Sequence, residues 1–239
     1  FADIGLLRPD EWAELFDFCV GLEIEPMATP FDLEAVDLLV DLGVSTFKVA
    51  SGDITFGPLL KTINAHGRDV VLSTGASTFR EIDAALRLLA DCNVTLLACS
   101  LAYPCDVGNA HLGRIPQLAE EYSWRRIGYS DHTLRTDTAL AAACMGAQVL
   151  EKHATLTENG PVPDDRMALS PPRLRQYVAY ANIGEQMRGQ TFNFEPVDAE
   201  QPARAGARRS GNATRHLAAG ETITAGDVAW LRPADPDGF

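Results

Sequence analysis

Two histidines and a glutamate stand in short polar motifs whose residue types could bind a metal ion and transfer a proton. His132 lies in Gly128-Tyr-Ser-Asp-His-Thr133, and Glu151 and His153 lie in Glu151-Lys-His153. Imidazole nitrogens bind divalent metals that keep open coordination positions. If the second motif ends a strand, alternation places Glu151 on the same face as His153 and Lys152 on the other. The carboxylate could then transfer protons or hold the ligand. Taken singly, each histidine is better explained as a buried, hydrogen-bonded residue.

A second set of side chains, rich in hydroxyl groups, could form a cradle for a phosphate and a carboxylate. Its members are Lys48, Ser51, Ser73, Tyr103 and Ser130. Ammonium and hydroxyl groups donate hydrogen bonds to anionic oxygens, and nearby glycines let the backbone approach closely. An anionic ligand would need such a local cradle, because the formal net charge of the chain is −13. Serine, threonine and glycine also mark ordinary turns, and that alternative stays open for each position alone.

All these residues follow short apolar runs, which alternate with amphipathic stretches typical of helices. The runs cover residues 22–28, 46–50, 69–72, 94–99, 126–129 and 148–152, and the helical stretches include 32–42, 138–145, 171–187 and one beginning at Thr78. This alternation predicts an α/β fold with parallel strands. In a TIM-type (β/α) barrel, which needs about eight strands, the C-terminal ends of the strands carry the site. The sequence has no GxGxxG motif to favour an open doubly wound sheet.

Composition divides the chain and excludes several classes of partner. We predict a partial (β/α) barrel over residues 1–190, a linker over 191–207 and a small β-rich module over 208–239. The acidic charge argues against nucleic acid as a partner, and no apolar run approaches the roughly 20 residues that span a membrane. Five cysteines without a CxxC motif indicate reduced thiols in a cytoplasmic protein.

The residues singled out above stand in the order and spacing seen in a known family. Phe47-Lys-Val-Ala-Ser-Gly-Asp53, Leu72-Ser-Thr-Gly75, Tyr103-Pro104 and the two histidine motifs resemble those of the N-acetylneuraminate (sialic acid) synthases. The tail from about Arg208 resembles the start of that family's C-terminal SAF, or antifreeze-like, domain. The resemblance implies a barrel whose first two βα units have no counterpart before Phe1.

The resemblance also implies a reaction and a role for each site residue. Phosphoenolpyruvate would condense with an N-acetylated hexosamine aldehyde such as N-acetylmannosamine, with release of phosphate. A divalent metal, Mn²⁺ or Mg²⁺, bound by His132 and His153 would polarise the aldehyde, and Glu151 would transfer protons. The resemblance implies a homodimer and assigns substrate binding to Thr29, Lys48, Ser51, Ser73, Tyr103, Ser130, Asp164 and, from the SAF domain, Arg232.

Two other functions remain open from the sequence. The chain could be a non-catalytic remnant that binds sugar or phosphate without turnover. It could also be an aldolase of the same barrel class that uses Lys48 or Lys152 to form a Schiff base. The histidine pair argues against the aldolase, because a Schiff-base enzyme does not need it.

Overall fold

Five parallel strands, hydrogen-bonded in chain order, form the sheet at the centre of the first unit of the chain. They are β1 (Thr46–Val49), β2 (Asp69–Ser73), β3 (Val94–Cys99), β4 (Ile127–Asp131) and β5 (Val149–Lys152). The structure is a computed structural model that describes residues 7–189 and 194–232. The chain divides into two units, Phe1–Gly189 and Gln190–Phe239. Each of the five apolar runs that were predicted as strands from residue 46 onwards forms one of these strands.

The strand predicted at residues 22–28 was wrong. Only Ala28 in this run makes a bridge, to Phe47 on β1. Helix α1 (Pro9–Gly21) ends just before the run, and the backbone N–H of Ile24 turns back to donate to the carbonyl of Cys19 at 2.9 Å. Pro26 lacks the N–H that a ladder requires. The first half of the run therefore completes the end of a helix instead of pairing with the sheet.

Helices connect the strands, and their ends follow the capping signals in the sequence. They are α2 (Leu33–Asp41), α3 (Gly57–Asn64), α4 (Phe79–Leu88), α5 (Arg114–Glu121), α6 (Thr138–Cys144) and α7 (Pro171–Arg188). The Asp32 carboxylate caps α2 by accepting from the backbone N–H of Ala35 at 2.7 Å, and Thr78 caps α4 through the predicted capping box with Glu81. The short helices α3 and α5 were not predicted, because Gly57-Pro58 and Pro116 favour turns.

The main hydrophobic core lies between the sheet and these helices. Phe47, Leu72 and Leu96 on the strands are fully buried, as are Leu59 and Ile63 on α3. Because side chains alternate along a strand, packing Phe47 against the helices turns the next residue, Lys48, towards the opposite face. The core therefore determines which residues reach the inner face of the sheet.

The sheet is strongly curled into a half-barrel. Lys48 on the first strand and Glu151 on the last strand bring their charged atoms to 3.4 Å across the inner face. The fold is thus α/β with a curled parallel sheet, as predicted for part of a TIM-type barrel.

The second unit contains a hairpin and a short helix. Strands β6 (Ser210–Ala213) and β7 (Val228–Leu231) pair antiparallel, and α8 (Gln201–Ala207) occupies part of the predicted linker. Pro202 in the first turn and three alanines favour this helix. The SAF assignment stays a prediction, and residues 1–6, 190–193 and 233–239, which belong to the predicted segments, lie outside the described residues. Within the described residues, no helix has the length and apolarity that crossing a bilayer requires.

Candidate functional site

Lys48 provides the positive charge on the inner face of the half-barrel. Its Nζ donates to Ser73 Oγ at 3.0 Å and to the carbonyl of Val49 at 3.1 Å, and it lies 3.4 Å from Glu151 Oε2. The lysine side chain is 10% exposed, whereas that of Glu151 is 36% exposed. A largely buried ammonium beside a more accessible carboxylate can accept an anionic ligand in place of part of its present contacts.

Ser51 and Gly75 form the next part of the cradle, at the ends of β1 and β2. The backbone N–H of Gly75 donates to Ser51 Oγ at 2.9 Å. A Cβ atom at Gly75 would lie 2.8 Å from that oxygen and 3.1 Å from Cys99 Sγ, closer than ordinary contacts. Gly75 therefore lets its backbone lie close to the Ser51 hydroxyl, and a side chain at this position would prevent that approach.

Ser130 and Glu151 are partners in the register between β4 and β5. The hydroxyl of Ser130 donates to Glu151 Oε1 at 3.3 Å, so the carboxylate contacts both Ser130 and Lys48. Thr29 lines, with Lys48 and Glu151, a cleft of about 480 Å³. Strand pairing thus assembles residues that are more than one hundred positions apart in the sequence.

His132 and His153 directly follow Asp131 and Lys152, the next register pair of β4 and β5, and their rings face each other. The centres of the His132 and His153 rings are 5.4 Å apart. Tyr103 packs its ring 4.2 Å from that of His132, and burial raises the pKa of Tyr103 to about 12, so its hydroxyl is protonated at neutral pH. Burial also lowers the pKa of His132, which favours the neutral imidazole that can bind a metal.

The histidine pair fits a divalent cation by its donor chemistry. His132 Nδ1 lies 3.1 Å from the carbonyl oxygen of Ser100, an acceptor, so Nδ1 carries the proton and Nε2 keeps a free lone pair. His153 Nδ1 lies 3.5 Å from Asp164 Oδ2, an orientation that also leaves Nε2 available. Metal-binding histidines commonly donate their second N–H to a carbonyl or carboxylate in this way.

Ring spacing is consistent with a shared ion. Metal–nitrogen bonds of about 2.0–2.1 Å place the centres of two rings on one ion roughly 4.5–6 Å apart. Among residues 7–189 and 194–232, no group of three histidine, cysteine or acidic side chains has metal-binding geometry. His132 and His153 would therefore supply two ligands and leave the other positions to water or substrate.

The two residues predicted to contact the sugar lie in different parts of the chain. Asp164 belongs to the loop after β5, and its exposed carboxylate is directed at His153. Arg232 is an exposed residue at the end of the described part of the second unit. Its predicted role in substrate binding stays a prediction.

Lys152 lies on the opposite face of the sheet from Glu151, as strand alternation predicted. Its side chain is only 2% exposed, and its Nζ lies 3.5 Å from the fully buried Asp131 carboxylate. Burial lowers the pKa of this lysine, whereas Asp131 opposes that change. Lys152 therefore cannot reach a substrate as a Schiff-base nucleophile, which excludes one of the two lysines considered for an aldolase.

The sequence reasoning gave no role to three residues that the fold brings into the site. Gly75, Cys99 and the carbonyl of Ser100 contact the cradle or His132. Burial raises the pKa of the Cys99 thiol, so it stays protonated and lines the site as a small apolar group. Their position at the ends of β2 and β3 or just beyond them was the available signal, but their contacts depend on the curl of the sheet.

Comparison with known proteins identifies a family that the chain matches. A model of the NeuB family matches residues 5–193. The N,N'-diacetyllegionaminic acid synthase of Campylobacter jejuni is 35% identical over 214 residues, which are 87% of this chain and 64% of that protein. The N-acetylneuraminate-9-phosphate synthase of Mus musculus is 29% identical over 233 residues, which are 96% of this chain and 64% of that protein. The chain therefore spans less than two thirds of the length of these relatives.

Solved structures share the fold. The N-acetylneuraminic acid (sialic acid) synthetase of Leptospira borgpetersenii, in complex with citrate, aligns with a TM-score of 0.79 and 30% identity over 83% of this chain and 70% of that chain. A truncated 3-deoxy-D-arabino-heptulosonate 7-phosphate synthase of Thermotoga maritima aligns with a TM-score of 0.62 and 13% identity over 77% of this chain and 72% of that chain. At that identity the second likeness concerns the fold alone.

Proposed function

The chain belongs to the NeuB family, and we propose that it carries the site at which phosphoenolpyruvate condenses with the aldehyde of an N-acetylated amino sugar. The product would be a nonulosonic acid of the sialic acid type, with phosphate released. One observation carries the proposal. A buried lysine with serine hydroxyls lies on the same inner face of the half-barrel as Glu151, and the facing histidines directly follow β4 and β5.

Phosphoenolpyruvate would bind in the cradle around Lys48. The ammonium supplies the positive charge that the phosphate and carboxylate require in a chain with a net charge of −13. The hydroxyls that would donate to the same oxygens belong to Thr29, Ser51, Ser73, Tyr103 and Ser130. The present bonds from Lys48 to Ser73 and Glu151 hold the ammonium in position before the ligand binds.

In this proposal His132 and His153 would hold a divalent metal ion. The assignment of that ion as Mn²⁺ or Mg²⁺ is also part of the proposal. When bound, the cation would polarise the aldehyde oxygen as a Lewis acid. The contact of His132 with the Ser100 carbonyl orients the ring with Nε2 unprotonated. Asp164 Oδ2, which lies 3.5 Å from His153 Nδ1, would orient that ring by accepting its N–H, and it would also contact the sugar.

The bond changes define what Glu151 must do. The methylene carbon of phosphoenolpyruvate forms a bond to the aldehyde carbon as the aldehyde oxygen takes up a proton, and water then adds to the neighbouring carbon, which is bonded to the phosphate oxygen. Cleavage of that carbon–oxygen bond releases phosphate and leaves a 2-keto acid. Glu151 would accept the proton of the attacking water, because its carboxylate is partly exposed on the inner face and held by Ser130 and Lys48.

The remaining family features are also proposals for the whole protein. The second unit would be the beginning of an SAF domain, and Arg232 would reach the sugar site of a partner in a homodimer. Arg232 is exposed, as a residue that contacts a ligand outside its own hairpin must be.

Titration of Mn²⁺ into the full chain, with and without phosphoenolpyruvate, tests the proposal. A His132→Ala/His153→Ala double variant should lose metal binding, whereas the matched control His111→Ala/His216→Ala, at two exposed histidines, should retain it. Phosphate release and a nonulosonic acid product are then measured with N-acetylmannosamine. Equal metal affinity in both double variants would contradict the metal site.

The same samples distinguish the alternatives. Binding of both Mn²⁺ and phosphoenolpyruvate, with no phosphate released from phosphoenolpyruvate in the presence of any amino-sugar aldehyde tested, would favour a non-catalytic binding protein. Borohydride treatment with pyruvate should leave no adduct, and a covalent adduct at Lys48 would instead favour a Schiff-base aldolase.

A further inference from the structure

A buried ion pair lies directly behind the two facing histidines, on the opposite face of the sheet. Asp131 and Lys152 are register partners in the β4–β5 ladder. Each of them immediately precedes one of the histidines in the sequence, so the pair and the two imidazoles occupy successive positions on the same two strands. The side chains of Asp131 and Lys152 are 0% and 2% exposed, and Lys152 Nζ lies 3.5 Å from Asp131 Oδ2.

The lysine also binds the backbone on both sides of His132. Its Nζ donates to the carbonyl of Asp131 at 3.2 Å and to the carbonyl of Thr133. These are the residues immediately before and after His132, so one ammonium on β5 fixes the backbone at that histidine. The strand that bears His153 thereby restrains the backbone that bears His132.

The carboxylate of Asp131 extends the restraint to the turn that follows β4. It accepts from the backbone N–H of Thr133 at 2.8 Å and from the hydroxyl of Thr138, the first residue of α6. On the far side, Lys152 Nζ lies 5.9 Å from the centre of the Tyr177 ring on α7, a favourable position for a cation over an aromatic face. The network therefore joins both strand ends to two packed helices.

Stability alone does not explain this pair. Burying two charges costs several kcal/mol per ion, and apolar replacements of buried ion pairs are often neutral or stabilising. An apolar pair would pack as well between the sheet and α7, but it could not fix the carbonyl groups on either side of His132. The arrangement indicates that the pair restrains geometry at this point.

We propose that the Asp131–Lys152 pair is the positioning element of the metal site and sets the separation of His132 and His153. This inference rests on the proposed function, because it assumes that the histidines share an ion. Asp131 and Lys152 act through the histidines and touch neither the metal nor the substrates. Partners of this kind typically contribute roughly 10–100-fold to metal affinity.

The test is a Lys152→Met/Asp131→Asn double variant of the full chain. Both charges are removed, side-chain volume is nearly kept, and the asparagine oxygen can still accept from the Thr133 N–H. We expect the dissociation constant for Mn²⁺, measured by calorimetry, to rise roughly 10–100-fold. The control is Ile63→Val, a fully buried core change in α3, which lowers stability without changing the Mn²⁺ constant.

Chemical-shift changes of the His132 and His153 ring protons during titration with diamagnetic Mg²⁺ give a second readout. In the unaltered chain we expect both rings to shift at the same Mg²⁺ concentration, whereas in the double variant one ring should need more Mg²⁺ than the other. Thr138→Val removes one hydrogen bond to Asp131 and keeps both charges, so it should weaken Mn²⁺ binding less than the double variant does. This variant replaces the double variant in the test if the double variant does not fold.

The outcomes of these experiments distinguish failure of the metal site from failure of the positioning role. Unchanged Mn²⁺ affinity and joint shifts of both ring signals with Mg²⁺ in the folded double variant, or in Thr138→Val if only that variant folds, would overturn the positioning role and leave the metal site intact. Absence of Mn²⁺ binding in the unaltered, folded chain would overturn both the metal site and the positioning role that depends on it.

Discussion

Lys48 and Glu151 lie on the first and last strands of the five-stranded sheet, yet their charged atoms are 3.4 Å apart. In a flat sheet, four strand spacings of about 4.8 Å would separate these strands by roughly 19 Å. The contact is possible because the sheet curls and both side chains extend across its concave face. The ion pair thus joins the two ends of the sheet, and an anionic ligand at Lys48 would lie beside the proposed proton acceptor.

Replacing Lys48 with methionine should abolish the positive charge of the cradle while keeping most of the side-chain volume. We expect the dissociation constant for phosphoenolpyruvate to rise at least about 10-fold, since a hydrogen bond to a charged group contributes about 1.5–3 kcal/mol. Calorimetric titration with phosphoenolpyruvate measures the change. Lys61→Met, at an exposed position on α3, is the control, and an equal effect of both substitutions would contradict the role of Lys48.

Replacing Glu151 with glutamine should separate binding from proton transfer. The amide oxygen can still accept from the Ser130 hydroxyl, but the group can no longer take a proton from water. We expect product formation to fall by about 10²–10⁴-fold, with the affinity for phosphoenolpyruvate changing only a few-fold. Glu120→Gln on the exposed face of α5 is the matched control. Turnover close to that of the unaltered chain would show that Glu151 is not the proton acceptor.

Adding a single methyl group at Gly75 should disturb the cradle from within. The new Cβ would lie 2.8 Å from Ser51 Oγ and 3.1 Å from Cys99 Sγ, so the hydroxyl must move. We expect a loss of about 1–3 kcal/mol in the free energy of unfolding together with weaker phosphoenolpyruvate binding. Denaturant unfolding and calorimetry measure the two effects. Gly108→Ala, where no atom lies within 4 Å of the added Cβ, should change neither.

The depressed pKa of His132 predicts a loss of stability in mild acid. Burial lowers this pKa below its ordinary value of about 6.5. At a pH between the pKa of His132 in the folded chain and its pKa in the unfolded chain, the imidazole is mostly protonated only in the unfolded chain. The free energy of unfolding therefore falls as the pH decreases through that window. NMR titration of the metal-free chain should place the His132 pKa below about 6.5. A His132→Asn variant should lose less stability over the same range, and a pKa at or above the ordinary value would contradict the effect of burial.

Local patterns in the sequence predicted most of the elements and the positions of the site residues within them. Apolar runs gave five of the six predicted strands, Asp32 and Thr78 marked the starts of two helices, and alternation placed Lys152 opposite Glu151. These features depend on neighbours a few residues apart, which period and capping rules describe. The wrong strand at residues 22–28 marks a limit of these rules, because an apolar pattern does not show that the Ile24 N–H bonds back to Cys19 at the end of α1.

The contacts between these residues follow from the packing of the whole fold. Ser130 is 21 positions from Glu151, and Lys48 is more than one hundred positions away, yet all three are in contact because of the strand register and the curl of the sheet. The orientation of the His132 ring towards the Ser100 carbonyl and the burial of Asp131 with Lys152 are also consequences of packing. A sequence specifies residue types at strand ends, but their distances result from a core that closes only when every element packs together.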